Sequence, residues 1–121
     1  MRARDNVAAA SSRQQRRPSD AEIETATVML RMLADPTRLR LMWLLSQAEY
    51  DVTALTGAVG VARPAVSQHL GKLRLAGLVT VRREGRRAVY AAVGGHVRRL
   101  VTEALQAAEH HLYDIPYHDD R

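Results

Sequence analysis

Apolar positions recur at helical spacing along most of this chain and switch to alternation in only one stretch. Ser19 followed by Glu22 is a capping box, and Ile23, Ala26, Thr27, Leu30, Met32 and Leu33 continue it as a mostly apolar stripe. Asp35-Pro36 ends this first helix, and Asp35 or Thr37 can start the next. "TRLRLMWLLSQ" then places Leu39, Met42, Trp43 and Leu45 on an expected buried face, with "AEYD" closing the helix. Asp51 and Thr53 introduce a short third helix with Val52, Leu55 and Val59 inward and Gly60 at its end. In "VARPAVSQHLGKLRLAG", Pro64 suits a first helical turn, Val66, Leu70, Leu73 and Leu75 supply the expected buried side, and Gly77 stops the helix.

The alternation falls in "LVTVRREGRRAVYAAV", where Glu84-Gly85 is a plausible centre for a two-residue hairpin turn. Pairing outward from that centre sets Arg83 against Arg86, Arg82 against Arg87, Val81 against Ala88 and Val79 against Tyr90. A last helix, from about Gly94 to about Leu112, carries Val97, Leu100, Val101, Ala104, Leu105 and Ala108 at helical spacing. Two helices joined by a glycine turn and followed at once by a hairpin form a winged helix-turn-helix. The predicted class is therefore mainly α with a small β-hairpin, in the order α1-α2-α3-α4-β1-β2-α5. Residues 19–113 form the domain, between a disordered basic tail (1–18) and a polar tail (114–121).

Composition narrows the chemistry. The chain has 121 residues, a net charge of +5 and 18 basic residues, all but Lys72 arginine. Such an excess points to a polyanionic partner, nucleic acid first. Cysteine is absent, which excludes disulfides, thiolate metal sites and cysteine redox sensing. No apolar run approaches the roughly 18 residues a membrane span needs, and the amino-terminal stretch lacks a signal-peptide core, so a cytoplasmic protein without a membrane partner is expected. No glycine-rich phosphate loop, cysteine nucleophile or H-E-x-x-H motif is present, and an enzyme is not expected.

The second helix of the helix-turn-helix suits the DNA major groove, where base edges are distinguishable. Ser67, Gln68 and His69 lie early in it as candidate base readers, Gln68 by paired hydrogen bonds to adenine. Taken singly, Ser67 also fits a plain surface serine and His69 a partly buried packing residue. Arg63, Lys72 and Arg74 are candidate phosphate contacts, and Arg82, Arg83, Arg86 and Arg87 on the hairpin are expected at the backbone or in the minor groove.

"LADPTRLRLMWLL", "AVSQHLGKLRLAGLV" and "VRREGRRAVYAAV", in that order, resemble the ArsR/SmtB family of metal-sensing transcriptional regulators, over roughly residues 25 to 112. The resemblance implies a homodimer joined through the first and last helices, bound to a palindromic operator in double-stranded DNA and released by metal. Family sites on the first helix of the helix-turn-helix use cysteines, and "EYDVTALTG" has none, which leaves the last helix. His96 and His110, fourteen residues apart with Glu103 midway, fall near one stripe roughly 21 Å in length. A single chain cannot chelate one ion with both, whereas an antiparallel partner helix brings them together in two equal sites. The family's zinc pattern is interrupted by Gly94 and Ala107. "AEHHLYDIPYHDD" is instead similar to the nickel- and cobalt-sensing, KmtR/NmtR-like branch, which implies ligands at His96, Glu109, His110 and His118, with Asp119 where that branch has a further histidine. An all nitrogen and oxygen set suits Ni(II) or Co(II) as effector, with Zn(II) possible. His111 lies nearer the apolar stripe and is expected to pack or be solvated. Two rival readings are a metal-independent winged-helix regulator controlled by a partner protein or small ligand, and a metal-responsive activator. A third is a metal buffer that happens to be basic.

Overall fold

The computed structural model describes residues 16–113; residues 1–15 of the expected basic tail, and residues 114–121 with His118 and Asp119, lie outside them. Five helices and three strands follow in the order α1 (Asp20–Leu33), α2 (Pro36–Gln47), β1 (Tyr50–Asp51), α3 (Val52–Val59), α4 (Arg63–Leu75), β2 (Val79–Glu84), β3 (Arg87–Ala92) and α5 (Gly94–Tyr113). The fold is a winged helix-turn-helix, as the periodicity predicts.

Three of the helices start where an oxygen-bearing side chain satisfies a first-turn N–H. The Ser19 hydroxyl accepts from the Glu22 N–H at 3.0 Å while the Glu22 carboxylate accepts from the Ser19 N–H at 2.8 Å. Asp35 accepts from the Arg38 N–H at 3.0 Å and Asp51 from the Ala54 N–H at 2.8 Å. Gly60 ends α3 with φ 67°, a left-handed conformation that turns the chain into α4 without a Cβ penalty.

Leu41, Met42 and Leu45 of α2, Leu55 of α3, Val66, Leu70 and Leu73 of α4, Leu78, and Val101 of α5 are almost fully buried together. Burying each large aliphatic side chain contributes about 1.5–3 kcal/mol. This core joins the helix-turn-helix to α2 and the start of α5, and it packs α4 against α2, α3 and β2. Two expected core positions leave it. Leu75 is 91% exposed, because it sits half a turn round α4 from Val66 at about 100° per residue. Trp43 is 43% exposed, because the buried arc of α2 runs from Leu41 through Leu45 to Met42 and Trp43 lies a further 100° on.

The sheet corrects the expected hairpin. Its order is β1-β3-β2, all antiparallel, so "AEYD" does more than close α2: Tyr50 and Asp51 form an edge strand opposite Tyr90 and Val89. The two turn residues are Gly85 and Arg86, one position later than the sequence suggests. Glu84 therefore faces Arg87, Arg83 faces Ala88, Arg82 faces Val89 and Val81 faces Tyr90. Gly85 adopts φ 62°, which a first central turn position requires and glycine supplies most readily. The later turn replaces opposed arginines by an acid-base pair.

Candidate nucleic-acid interface and metal-ligand helix

Helix α4 projects Arg63, Ser67, Gln68, Lys72 and Arg74 into solvent while Val66, Leu70 and Leu73 anchor it. Its first and last turns contain no acidic residue. No side chain caps its amino end at Ala62, and Pro64 removes one of the N–H groups that would otherwise need a partner. The Arg63 guanidinium donates to the Thr53 hydroxyl at 3.0 Å, tying the start of α4 to α3. Ser67 and Gln68 are thus presented outward on a helix whose position the core sets.

His69 is placed differently from its two neighbours. It is half-buried, and its Nδ1 lies 3.1 Å from the Arg38 guanidinium and 3.9 Å from the Asp35 carboxylate. Arg38 also donates from Nε to the Met32 carbonyl at 2.6 Å. These contacts join α4 to the corner between α1 and α2. Asp35 is held below the ordinary carboxylate range, first by the Arg38 backbone N–H, then by the Arg38 and His69 charges.

The hairpin's four arginines separate into two kinds. Arg82 donates to Glu49 at 2.8 Å and to Glu84 at 2.7 and 2.8 Å. Arg87 donates from Nε to Asp51 at 3.0 Å and contacts Glu84 at 3.4 Å. Donating to Glu49 first and then to Glu84 raises the Arg82 pKa. Asp51 is lowered by the Ala54 N–H first and by Arg87 second. Arg83 and Arg86 are exposed and take part in none of the ion pairs among the described residues. The pairing of Glu49, Asp51 and Glu84 with the wing arginines, and of Arg38 with His69, was not expected from sequence. The 36-residue separation of Asp51 from Arg87 leaves no local signal, and only Asp51's capping role is visible in sequence.

Helix α5 is a continuous helix of 20 residues with only Val97 and Val101 buried. The candidate ligands His96, Glu109 and His110 are all exposed. Among the described residues of one chain, no group of three His, Asp or Glu side chains is gathered as a metal site. Nitrogen and oxygen donors fit a borderline or hard divalent ion, and one chain's helix separates them too far to share it. His96 Nδ1 lies 3.1 Å from the Arg99 guanidinium, so that nitrogen faces a competing cation. Between α2, α3 and α5 opens a groove of about 520 Å³ lined by Pro36, Leu39, Arg40, Trp43, Val59 and Leu105 among others. No helix among the described residues is long and apolar enough to cross a membrane.

Comparison with known proteins agrees with this architecture. Residues 35–81, from the α2 cap to the middle of β2, match the family described as bacterial regulatory protein, arsR family. The chain is 43% identical over 99 residues to the HTH-type transcriptional regulator KmtR of Mycobacterium tuberculosis, covering 82% of this chain and 76% of that one. It is 39% identical over 92 residues to the regulator NmtR of the same organism, covering 76% of each. Among solved structures, the homodimeric winged helix-turn-helix DNA-binding domain of a possible ArsR-family regulator from Mycobacterium bovis superposes with a TM-score of 0.71 at 35% identity, covering 78% of this chain and 91% of that domain. These relatives are regulators rather than enzymes, and the chain belongs to the ArsR family of bacterial regulatory proteins.

Proposed function

We propose that this chain is a metal-responsive transcriptional repressor that binds a palindromic DNA operator as a homodimer and releases it when Ni(II) or Co(II) bridges the subunits. The observation that carries this reading is the exposed second half of α5. The stripe begun by Val97 and Val101 continues through Ala104 and Ala108 to Leu112, yet Leu112 is 69% exposed, and Tyr113 beside it is 72% exposed. Ile23, Val28 and Leu30 of α1 are similarly uncovered, at 54%, 43% and 52%. A second copy covers both faces, and the homodimeric Mycobacterium bovis domain supports that arrangement.

His96 of one subunit and Glu109 and His110 of the other would hold the ion, with His118 and Asp119 of the tail completing the set. The metal would supply a bridge between subunits, and the chain's own helices would transmit it as a change in the angle between two DNA-reading heads. His69 and Arg38 contribute by fixing α4 to the α1–α2 corner. Coordination requires neutral imidazoles, so metal binding would be coupled to proton release.

The test is DNA binding at fixed salt with and without Ni(II), Co(II) and Zn(II), for the wild type and His110→Ala. The apo variant should bind DNA nearly as the wild type does and should lose the metal response. A wild-type response retained in His110→Ala would reject the site. Metal that tightens DNA binding would make the protein an activator or co-repressed regulator. Affinity that never moves with metal would leave a metal-independent regulator.

A further inference from the structure

Glu49, Arg82, Glu84, Arg87 and Asp51 form an alternating chain of charges across one face of the wing. Strand alternation puts Arg82 and Glu84 on one face of β2 and Arg83 on the other, alongside Val81. The laddered face holds two guanidinium groups and three carboxylates, so it is formally acidic by one charge. The positive charge the wing offers to a polyanion resides on Arg83, opposite Ala88, and on Arg86 in the turn.

We propose that the wing divides its arginines: Arg82 and Arg87 position the hairpin, and Arg83 and Arg86 alone meet the phosphate backbone. Asp51 is the pivot of the positioning set. Its Oδ1 caps α3 through the Ala54 N–H, and its Oδ2 accepts from Arg87 Nε at 3.0 Å, so one carboxylate joins the first helix of the helix-turn-helix to the wing. Its side chain is 22% exposed, far less than the 50% of Arg82 or the 57% of Arg87. A fork already occupied on both sides, as in Arg82, would have to give up two carboxylates to take a phosphate. Arg83 and Arg86 give up only water.

This division rests on the DNA-binding reading, and the salt dependence of binding tests the two separately. Each phosphate contact contributes roughly 0.9 to the slope of log K against log salt. Binding is measured by fluorescence anisotropy over a salt series, on a duplex that the wild type selects from a random library. Arg83→Gln with Arg86→Gln should flatten the slope by roughly 0.9 for each contact removed. Two charge-neutral replacements, Arg87→Gln with Asp51→Asn and Arg82→Gln with Glu49→Gln, should leave the slope unchanged while affinity falls by roughly two- to fivefold. Asn at position 51 keeps an oxygen for the α3 cap. In those two variants amide exchange at the tip of β2 and β3 should accelerate, which Arg83→Gln with Arg86→Gln should not cause. Equal flattening in all variants would overturn the division while leaving DNA binding intact. A wild type that binds no duplex would overturn both.

Discussion

Helices α4 and α5 are both amphipathic, yet they finish their packing differently. In its 13 residues α4 buries Val66, Leu70 and Leu73 completely, against α2, α3 and the wing. Over 20 residues α5 buries Val97 and Val101, half-buries Leu105 against the core, and beyond it leaves Ala108 and Leu112 exposed. One chain is thus sufficient to pack α4 and insufficient to cover the second half of α5. Fold stability belongs to the first region, and the proposed metal response would draw on the second.

The strongest way to break this contrast is a pair of truncations. Leu73→Ala opens a cavity beneath α4 and should cost about 2–5 kcal/mol. At about 4–8 °C per kcal/mol for a domain of this size, the thermal midpoint should fall by at least about 8 °C at any protein concentration. Leu112→Ala should leave the dilute, monomeric protein within about 0.5 kcal/mol of wild type and instead weaken self-association, read by sedimentation. Equal loss from both in dilute protein would mean that α5 is supported within one chain.

What could be read from sequence follows the same contrast. Helix starts at Ser19, Asp35 and Asp51 were legible because capping is local, within three residues of the acceptor. The core of α4 was legible from period, except at Leu75, where an apolar residue falls on the wrong side of the helix. Trp43 was misplaced because bulk and apolarity suggest burial, whereas its angle round α2 puts it at the rim of a groove. The hairpin register hinged on a single residue, the glycine that takes the first central position of the turn. Moving the turn by one residue changes every pairing and turns opposed arginines into a ladder. The division among the wing arginines was invisible, since Glu49 and Asp51 lie 33 and 36 residues from their partners. Candidate ligands on α5 were legible as residue types at a spacing, but one chain does not gather them among the described residues.

The acidic caps give the next effect. Asp35 and Asp51 each accept a backbone N–H at a helix start, and both carboxyls are held below the ordinary range for that reason first. A carboxylate with a depressed folded pKa stabilises fully above its unfolded value, about 3.9, and loses that contribution as pH falls through the folded value. Stability of the DNA-reading half should therefore be level near neutrality and decline below about pH 4. Asp35→Ala should cost about 1 kcal/mol at neutral pH and flatten the acid decline, as followed by denaturant melts across pH. An unchanged acid limb would mean that the α2 cap is not part of what acid removes.

On α5, Arg99 tests the proposed cation site. Its guanidinium sits 3.1 Å from His96 Nδ1, where it repels an incoming ion and favours the proton on Nε2. Arg99→Ala should raise Ni(II) or Co(II) affinity by roughly two- to fivefold, the equivalent of about 0.4–1 kcal/mol, measured by competitive titration. Folding midpoints should stay within about 0.5 kcal/mol of wild type, since the side chain is exposed. Weaker metal binding in the variant would instead make Arg99 a support for the His96 ring.

The smallest effect is expected at Ser19, and it separates the two regions most sharply. The capping box between Ser19 and Glu22 is fully formed, but the helix it starts buries only Leu33. In one chain, then, the cap orders a helix that rests on little, and removing it disturbs little of the core. Ser19→Ala should cost about 0.5 kcal/mol, the low end for a cap, because α1 here behaves more like a helix in solution than one locked into a core. The same change should act more clearly on the dimer, because a frayed α1 must be ordered before it can cover a partner's face. Amide exchange in the first turn of α1 should rise in dilute protein, and the concentration at which dimers form should rise with it. If exchange rises while association is untouched, α1 lies outside the dimer interface, and the burial that α5 lacks must come from α5 alone.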